Sequence, residues 1–291
     1  MKVKSLAADF VRGALIGTAE VIPGVSGGTI ALVVGLYDRL ISSAANAIKA
    51  IAALVSLKPT HARASLRQVE FTMLVPLAIG MVAALVAGSA TIEPLLETEP
   101  ELMRGLFAGM IMASLVVPIR LVSQWRIASG VMVFFGFVAA FALTSLERLP
   151  AAQPQLIWVF AAAALAVCAL VLPGVSGSFL LLAMGMYQPT IAAVNDRDLG
   201  YLGVFALGAI AGMATFALLL QWLLTKYHDG TMALMTGLML GSLRALWPWQ
   251  TESGALETPA DPVLPMVGVL VGASVVLGLI FLEQRIRQSA Q

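Results

Sequence analysis

Pro23-Gly24-Val25-Ser26-Gly27-Gly28 recurs 150 residues later as Pro173-Gly174-Val175-Ser176-Gly177-Ser178. The match extends beyond the motif. Gly35-Leu36-Tyr37 pairs with Gly185-Met186-Tyr187, and Gly80-Met81 with Gly212-Met213. Gly109-Met110-Ile111-Met112-Ala113-Ser114-Leu115 then pairs with Gly237-Leu238-Met239-Leu240-Gly241-Ser242-Leu243, and Leu146-Glu147 with Leu282-Glu283. The order is the same in both places, so the chain divides into two related halves, 1–148 and 149–291.

The solvent of these halves follows from composition. Hydrophobic residues make up 59% of the 291 positions and charged residues 11%, where a soluble domain carries roughly 25% charged. Mean hydropathy is +0.93. A soluble enzyme, a nucleic-acid binder and a disordered chain are excluded. The net charge of +1 names no partner. One cysteine, Cys168, and two distant histidines, His61 and His228, offer neither a disulfide framework nor a metal cluster, so no cofactor is expected.

A bilayer core of about 30 Å needs about 20 apolar residues per helix. Segments 71–90, 127–146 and 263–282 lack charge, and 199–225 is a fourth. Segments 104–120 and 232–249 are less pure, the second containing Arg244. Basic residues cluster at Lys2, Lys4 and Arg12, at Lys58, Arg63 and Arg67, at Arg120 and Arg126, at Lys226, and at Arg285 and Arg287. The intervening loops carry only Arg104, Arg148 and Arg197 and hold acids instead, among them Glu97, Glu101 and Glu257. Positive loops stay cytoplasmic, which predicts both termini inside.

Segments 1–57 and 149–195 must then each return to the face they started from. Each half is one such segment plus three single crossings, an odd total, so the second half is expected upside down relative to the first. A proline followed by small residues cannot continue a straight helix. The arms beside each motif, 15–18 residues at 1.5 Å rise, reach about 22–27 Å, marginal for a crossing. The expectation is an all-α polytopic membrane protein with an inverted repeat: six transmembrane helices and two opposed re-entrant hairpins, about 6–57 and 155–195, with tips at 23–28 and 173–178. Two full spans in place of each hairpin would satisfy the charges equally.

Irregular backbone at membrane depth survives only inside protein or along a wet cavity. A Gly-rich turn entering a helix presents N–H groups and the positive end of a dipole, which suits an anion or a polar headgroup. Ser26, Gly27, Gly28 and Thr29, with Ser176, Gly177 and Ser178, are the candidate binding residues. The plain alternative is that Pro and Gly kink helices for packing; the duplication favours a site. Arg244 is a bidentate fork for phosphate, and needs an anionic partner: substrate or Glu20. Glu20, three residues before Pro23, is the candidate coupling group for a proton or cation; the competing view is a permanent Glu20–Arg244 pair. Asp38 and Arg39 read as a solvated pair. The Gly-xxx-Gly pairs 13/17, 105/109, 208/212, 237/241 and 268/272 are assigned to helix packing.

Glu20-Val21-Ile22-Pro23-Gly24-Val25-Ser26-Gly27-Gly28-Thr29, Leu172-Pro173-Gly174-Val175-Ser176-Gly177-Ser178 and Gly241-Ser242-Leu243-Arg244-Ala245-Leu246-Trp247-Pro248-Trp249 together resemble the bacterial polyprenyl-phosphate transporter family (PopT) over nearly the whole chain. The resemblance implies a multi-pass protein of the cytoplasmic (inner) membrane that flips undecaprenyl phosphate, a carrier lipid of cell-envelope biogenesis, from the outer to the cytoplasmic leaflet. Ser178-Phe179 stands where the first motif has Gly28-Thr29, so the two tips need not share one role. An ion-coupled transporter of a small soluble anion is the second hypothesis. A lipid phosphatase is the weakest, since no nucleophile with a partnered base lies in an apolar segment.

Overall fold

The computed structural model describes residues 2–20, 27–145, 155–173, 177, 180–181, 184–251 and 255–288. Its order is α1 (Lys2–Glu20), α2 (Gly27–Val33), α3 (Tyr37–Val55), α4 (Pro59–Leu66), α5 (Phe71–Thr98), α6 (Pro100–Ser114), α7 (Val116–Leu121) and α8 (Ile127–Thr144). The second half gives α9 (Leu156–Val171), α10 (Tyr187–Asn195), α11 (Leu199–Lys226), α12 (His228–Ser242), a 3-10 turn (Leu243–Leu246) and α13 (Val263–Gln288). Among the described residues the one β-type pairing is an isolated bridge, Gln250 to Leu256.

Four stretches are long and apolar enough to cross a membrane: Pro100–Leu121, Ile127–Thr144, Leu199–Lys226 and Val263–Phe281. Two bent pairs raise the number to as many as six: α2 with α3, at 119°, and α4 with α5, at 62°. Phe134, Phe135, Leu207, Ile210 and Leu270 point outwards and exposed. Such side chains on long apolar helices belong against lipid, and the chain is a multi-pass membrane protein.

Close helix pairs are made by glycine. A Cβ on Gly13 would lie 2.0 Å from the Leu77 carbonyl oxygen, and one on Gly17 would lie 2.4 Å from that of Met81. Gly208 and Gly212 of α11 meet Phe160 and Ala164 of α9 in the same way. Gly105 and Gly109 of α6 face Pro265 and Val269 of α13, and Gly237 and Gly241 of α12 face Val133 and Phe137 of α8. Gly268 and Gly272 reciprocate onto Leu102 and Leu106. Residue numbers rise together in every pair, so each pair runs parallel. The expected packing role of these glycines holds. Two of the pairs, α6 with α13 and α8 with α12, join one half of the chain to the other.

Two expectations need correction. The arm expected to follow the first motif is not one helix. It is a seven-residue α2 that stops at Gly35, where φ is 68°. The Leu36 N–H donates back to the Ala31 carbonyl at 2.9 Å, closing the helix, and α3 leaves at 119°. Only glycine takes this left-handed corner without strain. Gly185 repeats it at φ 68°, with the Met186 N–H on the Leu181 carbonyl at 2.8 Å. The segment 232–249 is likewise not one long helix. α12 ends at Ser242, one 3-10 turn follows, and the chain leaves through Trp247-Pro248. Proline cannot continue a helix, and the residue before it is biased to extended backbone. α12 is instead a central helix: Met232, Met235 and Met239 are fully buried and pack with Phe107 and Ile111 in the main core.

Arg39 does not pair with Asp38. Its guanidinium holds Glu70, with Nε at 3.1 Å from Oε2. The Arg39 hydrogen bond lowers the Glu70 carboxyl below its ordinary range. A depressed folded value means that the stabilisation is present above the unfolded value and is lost as pH falls through the folded one. Both side chains are about 40% exposed, so the pair contributes under about 1 kcal/mol. Glu70→Gln should therefore lower the Tm slightly at neutral pH, with the gap to wild type closing in acid. A gap that persists in acid would assign the loss to something else.

Candidate functional site

α2 sits where both halves meet. It packs on α1 and α6 of its own half and on α9 and α13 of the other. Thr29 is 1% exposed and Gly27 is buried, so the start of α2 lies inside protein. That is where irregular backbone at membrane depth can persist. Val21 to Ser26 lie outside the described residues, as do Gly174 to Ser176 and Ser178. Glu20 is the last residue of α1, and its side chain lies outside the description.

Gly177 marks the second turn. A Cβ there would meet the Ala166 carbonyl oxygen at 2.5 Å, so the chain has folded back onto α9. The helix before this motif, α9, is 16 residues, or about 24 Å at helical rise. Tyr37 ties the two halves of the chain together. Its buried hydroxyl donates to the carbonyl of Val171, the last residue of α9, at 3.1 Å. The repeat places Tyr187 opposite Tyr37, yet Tyr187 is exposed, so the tie is one-sided.

Arg244 lies in the 3-10 turn beyond α12. One guanidinium N–H donates to the carbonyl of Thr144, the last residue of α8, and the group stands 5.7 Å from the Phe141 ring centroid. Of the two expected anionic partners, the Glu20 side chain lies outside the described residues and substrate remains the other. Among the described residues the partners of Arg244 are therefore a helix C-terminal carbonyl and a ring face. This is good chemistry for a cation: the last carbonyls of a helix are unpaired and carry its negative end. The contact uses one of five donors, and the others have no partner among the described residues. The 3-10 turn packs on α6, α8 and α12, so α6 is the element it shares with α2.

A cavity of about 320 Å³ opens beside α2. Leu32, Val33, Val117 and Ile280 give it apolar walls, and Asp38 and Arg120 stand at its polar side. Two further charged groups belong to the scaffold. Asp9, 5% exposed, holds Arg12 at 3.1 Å inside α1. Their i,i+3 spacing was the available signal. Arg104 donates to the Pro248 carbonyl at 2.9 Å and holds the turn that follows Arg244. Nothing in local sequence spacing announces a partner 144 residues away.

Residues 16–261 match the family described as VCA0040-like, undecaprenyl phosphate translocase-like. A protein of Vibrio cholerae named polyprenyl-phosphate transporter is 34% identical over 263 residues, covering 90% of this chain and 84% of that protein. A Staphylococcus aureus protein of the same name is 30% identical over 259 residues, covering 82% of this chain and 86% of that protein. No solved structure matches the chain. The family model spans most of the sequence and a relative 34% identical covers 90% of it, so this chain belongs to the undecaprenyl phosphate translocase-like family.

Proposed function

We propose that this protein moves a polyprenyl phosphate such as undecaprenyl phosphate across the cytoplasmic membrane, from the outer to the inner leaflet, without chemical change to the lipid. The observation that carries the proposal is the 34% identity, over 90% of this chain, to a protein named polyprenyl-phosphate transporter. The cavity beside α2 adds a lesser support: Arg120 on its polar side suits a phosphate, with Asp38 beside it. The tail stays in lipid while the headgroup passes the protein interior, so the costly step is burying a phosphate of between one and two negative charges. The candidate binders are Ser26, Gly27, Gly28, Thr29, Ser176, Gly177, Ser178 and Arg244, through N–H groups, hydroxyls and one guanidinium.

The architecture proposed for this work is the inverted repeat. Four parallel glycine-lined pairs support it. α6 with α7 and α8 are joined by only residues 122–126, so α8 must return across the membrane. With α13 parallel to α6 and α12 parallel to α8, the second half runs opposite to the first. The seven-residue α2, too short to span, supports re-entrant hairpins, and the loop charges support cytoplasmic termini.

Binding tests the substrate. A short-chain polyprenyl phosphate should raise the Tm of the purified protein, while the matching prenol and inorganic phosphate should not. Equal stabilisation by inorganic phosphate would favour a soluble-anion transporter. Glu20 is proposed as the coupling group, taking up a proton as the phosphate enters and releasing it inside. Glu20→Gln mimics the protonated acid, so this variant should bind lipid but lose the pH dependence of transport. A wild-type pH profile in Glu20→Gln removes Glu20 from coupling.

A further inference from the structure

A second cavity, about 470 Å³, lies between the end of α11 with the start of α12 and the start of α8. Three basic residues line it: Arg126, Lys226 and His228. Its one acid is already engaged. Asp229 accepts the backbone N–H of Ser123 at 3.0 Å and of Gln124 at 3.1 Å, so both carboxylate oxygens serve the loop before α8. Lys226 has no carboxylate partner among the described residues. Its ammonium stands 5.7 Å from the Trp222 ring and 5.6 Å from the Tyr227 ring. Arg126 spends one donor on the Gln124 side chain at 2.6 Å. The cavity therefore keeps a surplus of positive charge and free donors.

The surroundings identify the occupant. Ile127, beside Arg126, is 90% exposed, and Trp125 and Trp222 are also exposed. Exposed isoleucine and tryptophan next to unpaired cations mark the level at which acyl chains give way to headgroups. Ala128 and Met132 extend the cavity along α8 towards the apolar belt. We propose that this cavity is a binding site for the phosphate of an anionic glycerophospholipid, with its acyl chains running down α8 past Met132. Basic pockets between membrane helices bind such headgroups by charge-assisted hydrogen bonds. The site is separate from Arg244 at the opposite end of α12, and it does not depend on the transported substrate.

The test is binding of short-chain phosphatidylglycerol to the full chain in detergent, followed by native mass spectrometry. Wild type should bind it at least tenfold more tightly than phosphatidylcholine. The double variant Arg126→Gln, Lys226→Gln should lose at least tenfold in phosphatidylglycerol affinity and nothing for phosphatidylcholine. Lys226→Gln alone, which disturbs only ring contacts, should lose a smaller part and serves if the double variant does not fold. Unchanged affinity in these variants, or equal affinity for the two lipids in wild type, overturns the proposal. Displacement of phosphatidylglycerol by millimolar inorganic phosphate would show a free-anion site and overturn the lipid assignment.

Discussion

Gly272→Ala should leave little folded protein in the membrane. Its new methyl would lie 1.9 Å from the Leu106 carbonyl oxygen, with the Met110 backbone nitrogen 3.1 Å away on the same helix. Backbone cannot step aside as a side chain does, so α13 must separate from α6 along its length. Overpacking typically costs about 1–3 kcal/mol, and a clash with backbone belongs at the upper end; it also removes the close contact that drives helix association in lipid. Gly109→Ala attacks the same crossing from α6, where the Cβ would meet the Val269 carbonyl oxygen at 2.1 Å. Gly278 is the internal control: it lies on α13, and a Cβ there meets nothing within 4 Å. Gly278→Ala should hold or raise the Tm, since alanine gains up to about 1 kcal/mol over glycine in a helix. Yield and Tm in detergent read all three. Similar values for Gly272→Ala and Gly278→Ala would mean that α6 and α13 do not pack as described.

Arg244 carries the second large effect. It has two possible employments, and they separate by substitution. As the cap on Thr144 it needs one donor and a positive charge. As a phosphate anchor it needs the planar fork. Arg244→Lys keeps the first and loses the second. This variant should fold with a Tm close to wild type while transport falls at least tenfold. Arg244→Ala should lose transport and also about 1 kcal/mol of stability, because the negative end of α8 is left uncapped. Wild-type transport by Arg244→Lys would confine Arg244 to capping.

Much of the scaffold is legible in the sequence. Small residues four apart in apolar runs have few uses in lipid other than close packing, so the five Gly-xxx-Gly pairs were legible, though not which helix each would meet. The corner at Gly35 was visible only as a repeat. Gly35-Leu36-Tyr37 and Gly185-Met186-Tyr187 matched, but a positive φ is a backbone property that letters do not carry. The length of α12 was misjudged for a physical reason. A hydropathy window assumes a helix facing lipid, while α12 is wrapped by protein and need not span the whole bilayer. The site was the least legible part. Arg244 stood out as a cation in an apolar run, but its bond to Thr144 joins residues 100 apart and depends on how α8 packs against α12. Asp9 and Arg12 break an apolar run in the sequence, and in the structure they form an ion pair whose acid is buried.

In the proposed function a polyprenyl phosphate headgroup crosses between leaflets through this protein. The direct measurement uses proteoliposomes carrying labelled undecaprenyl phosphate in the outer leaflet, with a membrane-impermeant phosphatase added outside. The label should become protected at a rate that rises with the amount of protein, while liposomes with Arg244→Lys protect it at least tenfold more slowly. Protection no faster than in protein-free liposomes, with the protein folded and inserted, would contradict the account.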